Sequence, residues 1–172
     1  MLQTPSQTVG PYFAYGLTPE QYLYDFKSLV GNQLVDPLNT PDAITITGRV
    51  FDGQGQPIAD AMIELWDPAN KRFGRFGTGT DPQNRFVFQA TKPGSVDGQA
   101  PHFWVIVFMR GQLIHSYTRL YFADEADLNA ADPLLNTVPT ERRATLLAQK
   151  APGGYTFDIF MQGDNETVFF EV

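Results

Sequence analysis

The sequence has 172 residues, no cysteine, two histidines and a formal net charge of −7, from 12 Lys+Arg against 19 Asp+Glu. Lack of cysteine removes disulfides, thiolate metal sites and cysteine nucleophiles together, so any metal site must rely on Asp, Glu, Tyr or the two histidines. The acidic balance, with no basic block, argues against a phosphate backbone as partner.

A chain of this length buries roughly two thirds of its unfolded surface. We expect one cytoplasmic domain over 1–172, in which 1–42 form an N-terminal arm and short helix. The polar start Met1-Leu2-Gln3-Thr4-Pro5-Ser6-Gln7 predicts no signal peptide. Thr18-Pro19-Glu20-Gln21 has the form of a capping box, with Pro at the first helical position. It predicts a helix to about Val30, followed by a loop through Pro41.

Beyond that loop the apolar period becomes two. Ile44, Ile46 and Val50 alternate with Thr45, Thr47 and Arg49, which predicts a half-buried strand. Asp52 to Pro57 reads as a turn and Ala61 to Trp66 as the returning strand. Gly74, Gly77 and Gly79 read as a mobile turn, since no Gly-Lys-Ser/Thr follows to make a phosphate cradle. Further strands are predicted over Asn84–Ala90, His102–Met109, Leu113–Phe122, Tyr155–Gln162 and Glu166–Val172. The apolar run Phe103 to Met109 is far shorter than the ~20 residues of a membrane-crossing helix. Pro139–Lys150 predicts an amphipathic helix capped by Thr140. The expected fold class is mostly β: an antiparallel β-sandwich of about seven strands with one or two short peripheral helices.

Chemistry-bearing residues are few. His102 and His115 fall on two strands joined near Arg110-Gly111. A hairpin there pairs His115 with about Ile106 or Val107, roughly 13–16 Å from His102, too far for one ion. No Gly-x-Ser-x-Gly elbow supports a serine–histidine–acid triad. Arg110 directly follows a buried strand, a position where arginine meets either an anion or solvent. Arg142-Arg143 reads as a solvated helix face or interface pair, and Asp124, Glu125 and Asp127 as helix-start residues.

Several stretches together carry a resemblance. They are Thr4-Pro5-Ser6-Gln7-Thr8-Val9-Gly10-Pro11-Tyr12, the Gly48–Trp66 hairpin, Thr91-Lys92-Pro93-Gly94 and Ala100-Pro101-His102. With them go Phe108-Met109-Arg110-Gly111, His115 to Phe122, and Gln162 to Phe170. From Thr4 to the C-terminus the chain resembles the intradiol ring-cleavage dioxygenases, and among them the alpha chains of the two-chain members.

The resemblance implies a ferric iron held by two tyrosines and two histidines, and cleavage of a catechol between its hydroxyls with O2. Here the family's ligand positions read Phe73, Val96, His102 and Trp104, so three of the four ligands are missing. It therefore implies an alpha chain that binds no iron and has no catalytic residue of its own. Fe(III) is then held by a homologous beta subunit, and 3,4-dihydroxybenzoate is the substrate. Thr8, Gly10, Pro11, Tyr12 and Arg110 are implied as this chain's contribution to the partner's substrate pocket. The loops over 67–73 and 95–99 are shorter than in those alpha chains. The alternative expectation is a metal-free homo-oligomeric module that binds a small aromatic acid.

Overall fold

The structure, a computed structural model, describes Gly10 and residues 13–171. Nine strands make up most of it: β1 (Ala43–Phe51), β2 (Met62–Asp67), β3 (Arg72–Gly77), β4 (Arg85–Thr91), β5 (His102–Phe108), β6 (Ser116–Phe122), β7 (Leu147–Ala151), β8 (Gly154–Thr156) and β9 (Ile159–Phe160). Two short α-helices, α1 (Phe13–Leu17) and α2 (Ala126–Ala131), and three 3₁₀ segments complete it. Among the described residues no helix is long and apolar enough to cross a membrane.

The strands run in the order β3-β2-β5-β6-β7-β8-β1-β4, with β9 beside β1. The mostly-β expectation holds, with more strands and a mixed pairing. β1–β8, β1–β9 and β6–β7 are parallel and the other pairs antiparallel. One layer, β3-β2-β5-β6, packs its Ile63, Leu65, Phe103, Val105 and Leu120 against Ile46, Val50, Phe86 and Phe88 of the other, and all are essentially buried. Burial of such side chains is the dominant stabilising term. Gly48 lies where a Cβ would sit 1.8 Å from the Phe157 carbonyl oxygen, so the crossing at β1 tolerates no side chain.

Five sequence expectations change. Of the expected mobile turn at Gly74, Gly77 and Gly79, the first two belong to the strand β3 and Gly79 lies in the turn after it; a Cβ at Gly74 would lie 2.4 Å from Leu34 Cδ1, so glycine here makes room for that side chain. The helix from Thr18 is only a 3₁₀ turn, Pro19–Tyr22. Thr18 donates its hydroxyl back to the Ala14 carbonyl at 2.9 Å, and Gln21 clamps β3 by bonds to the Gly77 carbonyl (2.6 Å) and N–H (2.9 Å). Leu23, at φ 63°, then ends the turn.

The Pro139–Lys150 helix is instead a 3₁₀ segment, Thr140–Leu146, that becomes β7, and Thr140 does not cap it. Arg142 and Arg143 are not a solvated pair. Arg142 donates to the Glu166 carbonyl at 2.6 Å and Arg143 to the Val138 carbonyl at 2.9 Å. Arg142 thereby ties the segment to the C-terminal stretch, and Arg143 ties it to the residues just before it. The predicted C-terminal strand is reduced to an isolated bridge between Tyr117 and Phe170.

The face of the first layer turned away from the core carries a smaller apolar cluster: Ala100, Tyr121, Leu135, Val138 and Leu146. That outer face holds the residues that matter next.

Candidate functional site

Strand register aligns one row across the outer face. Trp66 pairs with Phe73 on one side and Trp104 on the other, and Trp104 pairs with Arg119. Two residues along β5, His102 pairs with Tyr121. The period of two therefore brings three of the four sequence-selected positions, Phe73, His102 and Trp104, onto one face. The fourth, Val96, sits in the preceding loop and bridges to Gln99.

His102 is buried, and its Nδ1 lies 2.8 Å from the Ala100 carbonyl oxygen. A carbonyl only accepts, so Nδ1 carries the proton and Nε2 bears the lone pair. Nε2 is buried with no hydrogen-bond partner among the described residues. Burial, with the Arg119 cation adding to it, holds the imidazole below its ordinary value and keeps it neutral.

Arg119 is only 4% exposed. Its guanidinium carbon stands 4.0 Å from the Trp104 ring centroid, and Nη1 donates to Gln99 Oε1 (2.8 Å) and to the Tyr121 hydroxyl (3.1 Å). Tyr121 in turn donates to the fully buried Asp132 carboxylate at 3.3 Å.

These residues do not fit a ferric ion. Phe73 and Val96 offer no donor atom, and the Trp104 indole has only an N–H to give. A guanidinium already lies against that ring. Burial pushes the Tyr121 phenol up to about 12, and its oxygen is already engaged, accepting from Arg119 and donating to Asp132. Among the described residues no group of three or more His, Asp or Glu is placed to hold a metal.

Both shifts give a signed pH dependence. Tyr121 keeps its proton to about 12 in the folded state and to 10.0 when unfolded. Stability is complete below pH 10 and falls as pH rises through 12, by about 2–3 kcal/mol. His102 acts on the acid side: neutral in the fold and titrating near 6.5 when unfolded, it gives stability that is present above 6.5 and lost as pH falls. Melting temperature against pH is expected to show a plateau between these limits. Tyr121→Phe should flatten the alkaline fall, and an unchanged fall would count against this assignment.

The other sequence-selected residues lie at the far end of β5. The N–H of Phe13 donates to the Gly10 carbonyl at 3.1 Å, and the Phe13 ring sits 5.7 Å from that of Phe108. Arg110 follows two residues later, mostly exposed, and donates from Nε to Asp60 Oδ2 at 2.6 Å. The structure thus brings Gly10 and Arg110 to the same end of one strand. Thr8, Pro11 and Tyr12 lie outside the described residues. Beyond Arg110, β6 starts at Ser116, opposite Val107, which leaves Leu113 and Ile114 exposed. Beside them a cleft of about 600 Å³ is lined by Ile114, His115, Tyr117, Phe169 and Phe170.

His115 bonds to the Tyr117 hydroxyl at 2.8 Å, with its ring beside Phe108. The two histidines therefore serve opposite ends of β5 and share no ion. Asp124 and Glu125 are engaged by Lys92 at 3.0 and 2.5 Å, and Asp127 stands in the first turn of α2. Sequence reading missed Asp60 and Arg119. Arg119 was detectable in principle, because it falls in phase with Tyr117 and Tyr121 on an alternating strand.

No family model matches the chain. It is 50% identical over 192 residues to the protocatechuate 3,4-dioxygenase alpha chain of Burkholderia cepacia, covering 99% of this chain and 98% of that one. Identity to the alpha chain of Pseudomonas putida is 36% over 194 residues, covering 98% and 96%. A more distant similarity, 27% over 160 residues and 73% of this chain, links it to the Burkholderia cepacia beta chain.

Among solved structures, the dioxygenase domain of a carbohydrate-binding fusion protein from Streptomyces sp. SirexAA-E superposes with a TM-score of 0.57 at 22% identity, covering 91% of this chain and 96% of that chain. An intradiol ring-cleavage dioxygenase from Tetranychus urticae superposes at 0.56 and 13% identity, covering 92% and 93%. These two share its fold. The nearly full-length identity to two alpha chains, on a fold shared with ring-cleaving dioxygenases, places the chain in the protocatechuate 3,4-dioxygenase alpha-chain family.

Proposed function

We propose that this chain is the iron-free subunit of a cytoplasmic protocatechuate 3,4-dioxygenase. It acts as one domain beside a homologous beta subunit that holds Fe(III). The complex opens 3,4-dihydroxybenzoate between its hydroxyls, adding both atoms of O2 to give 3-carboxy-cis,cis-muconate. The observation that carries the reading is the 50% identity to an alpha chain across 99% of the sequence. The ligand-poor outer face agrees with it, since the iron of such a complex needs another chain to hold it.

This chain's part is to bind and orient. Thr8, Gly10, Pro11 and Tyr12 wall the partner's pocket. A Gly-Pro pair suits a flat ring because one residue has no side chain and the other has a fixed φ. Nothing lies within 4 Å of a Cβ placed at Gly10, so packing inside this chain does not demand glycine there. Arg110 meets the substrate carboxylate. Asp60 holds Nε, which leaves the Nη edge to form a charge-assisted fork with an anion.

Oxygen uptake on 3,4-dihydroxybenzoate tests the reading. The purified chain alone is expected to give no uptake above background, and co-purification with an iron-loaded beta chain is expected to give turnover. Turnover by the isolated chain would overturn the proposal.

A further inference from the structure

The outer face carries a buried cation that neither the resemblance nor the proposed activity explains. Arg119 is 4% exposed and makes no direct ion pair among the described residues, yet a lone buried charge is among the costliest groups to retain. Its surroundings compensate it in part, with Nε left unpartnered among the described residues. The Trp104 face lies against the guanidinium, Gln99 and Tyr121 each accept from Nη1, and Tyr121 passes the contact on to the buried Asp132. Asp132 is anchored by the Ala100 and Leu135 N–H groups, at 2.8 and 2.7 Å. The chamber thus joins four pieces of chain: the 96–99 turn, β5, β6 and the segment after α2.

We infer that Arg119 is the resident cation of this chamber, a covalently supplied guanidinium standing among the positions where the family's metal-bearing chains carry ligands. It ties the surrounding loops together there as a bound ion would. The strand register carries the inference, because Arg119 ends the row that begins at Phe73 and passes through Trp66 and Trp104. So does the chemistry of the neighbours, which is complementary to a planar cation: one aromatic face, two neutral oxygens that both accept from Nη1, and one carboxylate behind them. Lysine has the charge but not the plane that lies against Trp104. Methionine fills space but strands Asp132 without a counter-charge. The inference concerns this chain's own architecture and does not depend on the partner-site reading.

Thermal melting of the full chain tests it, comparing the parent with Arg119→Met, Arg119→Lys and Arg119→Ala. Arg119→Met is expected to melt roughly 6–12 °C below the parent, with Arg119→Lys between them. Millimolar methylguanidinium chloride is expected to raise the melting temperature of Arg119→Ala, while leaving the parent unchanged, and methylammonium is expected to do neither. Should Arg119→Ala fail to fold, Arg119→Met against Arg119→Lys asks the same question. The inference is overturned if Arg119→Met melts with or above the parent. It is equally overturned if methylguanidinium shifts the folded Arg119→Ala no more than the parent.

Discussion

Arg110→Ala, assembled with an iron-loaded beta chain, is expected to lower kcat/KM for 3,4-dihydroxybenzoate by roughly 10- to 150-fold. That range is the rate equivalent of the ~1.5–3 kcal/mol of one charge-assisted contact. An uncharged catechol should be affected far less, since it has no carboxylate to lose. In the isolated chain Arg110 is 69% exposed at its side chain, and its pair with Asp60 is worth little there. The contact gains strength only once a partner excludes water around it. Steady-state kinetics on the two substrates check this. Equal losses on both would mean that Arg110 only shapes the interface, and no loss on either would remove it from the site.

The largest structural effect is expected at Asp132. Its carboxylate is fully buried and accepts from two backbone N–H groups and the Tyr121 hydroxyl. Asp132→Ala leaves those donors unpaired and also removes the only carboxylate linked to Arg119 through the described hydrogen bonds. The cost is about 3–5 kcal/mol, which corresponds to a melting temperature at least roughly 6 °C lower. Asp132→Asn keeps one acceptor oxygen and should lie between. Urea or thermal unfolding measures both, and an Asp132→Ala protein as stable as the parent would contradict the network described here.

Much of the architecture could be read from residue order. The alternation over Ile44–Val50 and the apolar run after His102 declared β1 and β5 because side-chain period reflects which face is buried. The strand β3 did not declare itself. Gly74 makes room for Leu34 and Phe88, and Gly77 for Tyr22 and Gln21, and contacts so distant in sequence leave no local signature. The 3₁₀ segments after Thr18 and Thr140 failed for a related reason. Thr18, Gln21, Arg142 and Arg143 look like helix residues locally, but Gln21 and Arg142 reach carbonyls far along the chain, and Thr18 and Arg143 turn back to carbonyls just before them.

The site divides along the same line. Phe73, Val96 and Trp104 are legible as residue types without a donor for iron, at positions that the resemblance alone selects. Arg110 is legible as the cation after a buried strand. The guanidinium against Trp104 and the Asp60 partner of Arg110 needed three dimensions, because strand register and a gap of 50 residues bring those groups together.

In the proposed division of labour this chain shapes and charges a pocket whose metal belongs to another subunit. Iron analysis by mass spectrometry on the chain purified alone from iron-replete cells, and on the alpha–beta complex from the same cells, tests it most directly. The account predicts only substoichiometric traces on the single chain, and iron in the complex in proportion to its beta chain. Stoichiometric iron on the isolated chain, lost on replacement of His102, would contradict it.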